Sequence, residues 1–370
     1  MEQCVEFAKD GFVGKLKAIG AFTPREKRNM SDQAIQKVQP LGHPWVTADP
    51  FLFCVHHNDA YPKGNEYMGP DASLSGRRLG NDFGGKDGWS MYHGRRVPGF
   101  PQHPHRGFET ITIARRGYID HSDSLGAAAR FGEGDVQWMT AGTGVVHSEM
   151  FPLVHQDQPN PTELFQIWLN LPAKDKHVAP YFTMFWSDTI PSKTFEDAQG
   201  HQTHMSVVAG TFEGMNPPAP PPDSWASREQ SDIAIWTLKM EADAEWTIPA
   251  GPAGANRMLY FFEGESFQAE GRKLSPGVAI TLDPTLPLTL NNGKREAEFL
   301  VLQGRPIGDP VVQYGPFVMN SMEDIQKTIH EFNRTGFGGW PWEADAPVHP
   351  REKGRFAKHP DGRLEEPETL

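Results

Sequence analysis

Residues 103–113 read "HPHRGFETITI". Two histidines one residue apart, with a proline between them, run straight into a β-forming stretch of Thr and Ile. Side chains at i and i+2 of an extended segment point to the same face, so His103 and His105 can converge on one point. Neutral imidazole is the commonest metal ligand, but two surface histidines in a turn would give the same pattern. The stretch therefore establishes a β context first and a candidate ligand pair second.

The same β character continues on either side. "GDVQWMTAG", "ELFQIWLNLP", "IAIWTLKM", "RMLYFFEG", "GVAITL" and "AEFLVLQG" read as short strands, punctuated by 37 Gly and 33 Pro. Long amphipathic segments are scarce. The best is "SMEDIQKTIHEFNRTGFG", with Ser321 as N-cap, Asp324 three residues on and Gly336 past the end. An all-β chain with a late helix results, for which sandwiches or barrels are the natural packing. A faint repeat points to two like domains: a strand ending at Gly117 is followed by "FGEGDVQWMT", and one ending at Gly264 by "LSPGVAITL".

Composition narrows the class. The chain has 370 residues and a net charge of −12, which argues against direct nucleic-acid binding. The basic pairs Arg77-Arg78 and Arg115-Arg116 read as solvated surface. Nothing approaches the run of about 20 apolar residues that a membrane helix needs. The opening residues do not resemble a secretory signal, although Val5, Ala8, Phe12, Leu16 and Ile19 could line one side of a short helix. Cys4 and Cys54 are the two cysteines, too few for a disulfide framework or zinc ribbon and suited to a reducing compartment. The expected location is cytoplasmic, or nuclear in a eukaryote.

A second pair lies in "TAGTGVVHSEM", where His147 and Glu149 again stand two apart. Two such pairs meeting across an antiparallel barrel would assemble three imidazoles and a carboxylate. That set suits Fe(II), Mn(II), Ni(II), Cu(II) or Zn(II) rather than Ca or Mg, and leaves up to two octahedral positions open. Glu109 shares strand parity with His103 and His105, so spacing alone leaves it as an alternative carboxylate.

These residues carry a resemblance. "PQHPHRGFETIT", "GYIDHSDSLG", "GDVQWMTAGTGVVHSEMF", "FQIWLNLP" and "QYGPFVMNSMEDI" are similar to the pirins, members of the cupin superfamily, over roughly residues 40–335. The resemblance implies two stacked cupin (jelly-roll) β-barrels. It assigns residues 1–38 to an N-terminal extension, 39–190 to a metal-binding barrel, 191–320 to a barrel without ligands, and 321–370 to the helix and a polar tail. It also implies a metal, usually iron, held by His103, His105, His147 and Glu149. Glu109 would then orient a ligand imidazole, and Glu149 could double as a catalytic base. Some pirins have quercetin 2,3-dioxygenase activity, which implies Fe(II), O2 and a flavonol or related enolic or catecholic substrate. Some eukaryotic pirins are iron-dependent transcriptional co-regulators, which implies protein partners instead.

Other residues read more plainly. His56 and His57 are adjacent, would face opposite ways on a strand, and suit a loop. His121 suits a local hydrogen bond near the pocket rim, Trp138 and Met139 core packing, and Arg106 either an anionic substrate or a nearby carboxylate. Residues 58–102 expand the usual pirin pattern and could fold over the entrance. Residues 213–230 form a proline-rich loop, and 343–370 an extended or partly disordered tail.

Overall fold

The structure, a computed structural model, describes residues 33–367. The expected N-terminal helix lies outside the described residues. The fold is mostly β, with two cupin barrels and one late helix, α1 (Met322–Thr335). Ser321 caps it, accepting from the Asp324 amide at 3.1 Å. No helix among the described residues is long and apolar enough to cross a membrane.

Strand β1 (Ile35–Pro40) comes first, and the first barrel then supplies nine: β2 (Phe51–Tyr61), β3 (Gly99–His105), β4 (Phe108–Arg116), β5 (Tyr118–Asp123), β6 (Ala128–Gly132), β7 (Val136–Thr140), β8 (Val145–Met150), β9 (Asn160–Asn170) and β10 (Tyr181–Phe185). The first barrel sets the sheet β10-β7-β4-β9-β2 against a sheet running β6-β5-β8-β3. The second barrel is built on a seven-stranded sheet that includes Asn256–Glu263 and Ala297–Gly304 and takes β1 as one edge strand, paired with Val278–Leu282.

Strands β4 and β9 are buried on both faces, one against the second barrel and one toward the first interior. Ile111, Ile113, Phe165, Ile167 and Leu169 pack against Ile235, Met258, Tyr260, Leu300 and Leu302 of the second barrel. Each buried side chain of this size contributes roughly 1.5–3 kcal/mol. The opposite face of β4 carries Thr110 and Thr112, which turn into the first barrel. The second barrel is filled instead by an apolar cluster that includes Trp236, Leu238, Phe261 and Phe299. The first interior combines its polar patch with an apolar cluster that includes Ile119, Phe131 and Phe182.

Several sequence expectations change here. Over its described residues, 343–367, the tail is docked: Phe356–Lys358 pairs with β6, and Leu364–Glu365 extends that edge. Buried Arg130 explains the docking, since it pairs with Asp120 at 2.7 Å and donates to the carbonyls of His349, Pro350 and Lys353. Arg77 is not solvated surface. It is buried, bonds to Asp82 at 2.9 Å and lies 3.3 Å from the Trp89 ring, which organises the 58–102 segment. Arg115 bridges Glu163 of the first barrel to Glu298 of the second. His56 and His57 lie on strand β2, not in a loop, and Trp138 is core, buried against Phe185.

Candidate metal centre

The histidine pairs meet because of two irregularities in the backbone. Register slips between Phe100 and His103, a bulge that sets His103 opposite His147 on β8. The chain then breaks at Arg106-Gly107 before β4 begins. A Cβ on Gly107 (φ +84°) would lie 2.1 Å from the Val318 carbonyl oxygen, so only glycine fits this turn.

At this break the chain crosses from the β3 sheet to the facing β4 sheet, so strand parity does not carry across to Glu109. Its carboxylate accepts from Thr140 Oγ1 and Ser224 Oγ, each at 2.6 Å, on the side facing the second barrel. No contact with an imidazole is recorded among the described residues, so the expected orienting role for Glu109 is not what the structure shows. Parity counting assumed an unbroken strand. Burial pushes the Glu109 carboxyl up to about 7, against the pull of its two hydroxyl donors.

His103, His105 and His147 offer nitrogens that all lie within 4.8 Å of one another. Their ring centroids are 4.4–4.8 Å apart. His103 is half-buried, while His105 and His147 are buried. Its Nδ1 lies 2.8 Å from the Pro101 carbonyl, which fixes that nitrogen as the donor and turns Nε2 toward the cluster. His105 Nδ1 faces the Pro316 carbonyl at 3.4 Å. Both ring nitrogens of fully buried His147 lack a hydrogen-bond partner among the described residues.

Burial and the neighbouring imidazoles keep all three rings neutral. His103 is lowered to about 4, and His105 and His147 fall well below the usual histidine value. Glu149 stands beside them, its Oε2 4.0 Å from His147 Nε2. It accepts from Thr112 Oγ1 at 3.0 Å and faces Gln166 Nε2 at 3.5 Å. Burial raises its carboxyl above the usual range. A buried imidazole with two orphaned nitrogens, among neutral rings and beside a carboxylate, fits a transition-metal ion.

His121 is not at a rim. It is fully buried, stacked on Phe182 at 5.2 Å, with Nε2 3.3 Å from Asp123. Arg106 pairs with Glu331 at 2.8 Å and sits over Phe337, so it fastens α1 to the barrel. The sequence reading missed His93. It reaches from the 58–102 segment toward Phe100, 5.8 Å between ring centroids, and its proximity helps lower His103. Nothing in the local spacing around "MYHGRR" signals that placement.

The sequence matches the Pirin family over residues 33–169 and the pirin C-terminal cupin domain over residues 235–338. A Pseudomonas aeruginosa protein named "Putative quercetin 2,3-dioxygenase" is 34% identical over 243 residues, covering 65% of this chain and 79% of its own length. A pirin-like protein of Solanum lycopersicum is also 34% identical, over 65% of this chain and 77% of that one. Among solved structures, a quercetin 2,3-dioxygenase from Acinetobacter baumannii superposes with a TM-score of 0.64 at 25% identity, covering 83% of this chain and 99% of that chain. Two cupin barrels, a histidine cluster in the first of them and these matches lead to one conclusion: the chain belongs to the pirin family.

Proposed function

We propose that this protein is a metal-dependent dioxygenase that opens a flavonol or a related enolic or catecholic ring with O2. His103, His105, His147 and Glu149 are the proposed ligands and Fe(II) the proposed metal. The observation that carries this reading is fully buried His147, whose ring nitrogens have no partner among the described residues.

Bound there, the metal would supply Lewis-acid activation of a substrate hydroxyl and an electron path to O2. The protein's own contribution is positional and acid–base. The Pro101 and Pro316 carbonyls orient the imidazoles of His103 and His105. Thr112 and Gln166 hold the Glu149 carboxylate. Raised by burial, Glu149 is a stronger base than an exposed carboxylate and can take the substrate hydroxyl proton at Oε2. Phe100 and Trp168 pack beside His103 and His105 and offer apolar walls against which a flat ring can align.

The test is anaerobic loading with Fe(II), metal analysis, and then O2 uptake with quercetin. One equivalent of iron and quercetin-dependent uptake, both lost in His147→Ala, support the reading. One equivalent of iron with no uptake refutes it.

A further inference from the structure

A second feature of the first barrel has no part in the metal site. Between the β2 edge and the 58–102 segment lies a cavity of about 340 Å³, lined among others by His43, His57, Asn58, Phe83 and Tyr92. That volume falls within the roughly 300–1,000 Å³ typical of small-molecule sites.

A hydrogen-bond chain at its wall has a defined direction. Asp59 Oδ1 accepts from the Ser90 amide at 2.8 Å, and its Oδ2 accepts from the Tyr92 hydroxyl at 2.7 Å. The Tyr92 oxygen, having donated its proton, must accept from His57 Nδ1 at 2.8 Å. Burial keeps His57 neutral, lowered to about 3. The tautomer is therefore Nδ1–H, and Nε2 carries a lone pair. Burial raises the Asp59 carboxyl to about 6, so at neutral pH it is a buried anion that accepts both bonds and disfavours an anionic ligand nearby. The wall thus favours a neutral ligand that brings a hydroxyl donor.

The opposite requirement, a surface for a flat ring, is met by Phe83. It is 42% exposed, and edge-on contacts to Tyr92 at 5.4 Å and His93 at 5.0 Å hold it. Tyr92 adopts φ +54°, a left-handed backbone that is unfavourable for a bulky residue. Such strain persists where the surroundings over-determine it, typically at binding sites.

We propose that this cavity is a second binding site, for a neutral hydroxylated aromatic ring of the phenol or catechol class, with Phe83 stacking on the ring and His57 Nε2 accepting from its hydroxyl. The site needs no metal. Phe83, Tyr92 and Phe100 stand between it and His103, so it is separate from the proposed catalytic centre.

Calorimetric titration of chelator-stripped full-length protein tests the proposal without metal chelation of the ligand, and the Phe83 variant assigns the binding to this cavity. Catechol should bind saturably at one site, and 1,2-dimethoxybenzene at least tenfold more weakly. Phe83→Ala, at an exposed position that leaves the core intact, should weaken catechol tenfold or more. Tyr92→Phe, which releases the His57 tautomer, should reduce the preference for catechol over its dimethyl ether. Absence of saturable catechol binding, equal binding of the two ligands, or wild-type affinity in Phe83→Ala would each overturn it.

Discussion

Gly107→Ala should damage the first barrel out of proportion to the single methyl group it adds. The new Cβ would lie 2.1 Å from the Val318 oxygen, 3.1 Å from Met319 Sδ and 3.2 Å from Lys176 Cδ. A left-handed non-glycine residue costs roughly 1–2 kcal/mol, and overpacking a rigid backbone contact adds roughly 1–3 kcal/mol. The expected loss is about 2–5 kcal/mol. Val318 also donates its amide to Arg106 O at 3.0 Å, so any retreat of Val318 pulls on the residue next to His105. Gly126→Ala is the control: its φ is +86°, but nothing lies within 4 Å of the added Cβ. Chemical denaturation and Fe(II) stoichiometry should be measured on both variants. Gly107→Ala should lose more stability than Gly126→Ala and bind iron more weakly. Equal destabilisation with undiminished iron binding would refute the role given to this turn.

Three further outcomes follow from the same geometry. Glu109 has a folded-state pKa of about 7, raised by burial, so its contribution is fully present below the ordinary value near 4.5 and is lost as pH rises through 7. Glu109→Gln should therefore be more stable than wild type at pH 8, by roughly 3 kcal/mol, and flatten the stability profile between those limits; a wild-type profile would refute this. Arg130→Ala leaves Asp120 buried without its partner and frees the tail carbonyls, which should cost about 3–5 kcal/mol and expose residues 343–367 to protease; a resistant tail would count against it. Iron at a hundredfold excess over its dissociation constant should stabilise the protein by about 2.7 kcal/mol. Thermal melts should show that gain in wild type and not in His147→Ala.

The strands and the three imidazoles were legible because both signals are local. Alternation marks a strand, and two histidines two residues apart share its face. Glu109 was misplaced because the chain crosses between facing sheets at Arg106-Gly107, where parity is not preserved, and one glycine in a β context does not announce a crossing. Arg77 and Arg130 look like surface charge in sequence, since their partners, the Trp89 ring and the tail carbonyls, are supplied by folding. His93 was invisible for a related reason. Its approach to His103 depends on how an irregular segment packs through Tyr92, Phe83 and Phe100, and no periodicity encodes that.

The two halves of the molecule trade their outermost strands. Residues 35–40 pair along an edge of the far barrel, while Phe356–Lys358 covers an edge of the near one. A nascent chain therefore leaves the β6 edge of its histidine-bearing barrel uncovered until almost everything else has been synthesised. Severed at the junction, each half would be left with an unzipped rim prone to sticking to its neighbours. Interlocking of this kind couples the stability of the two cores.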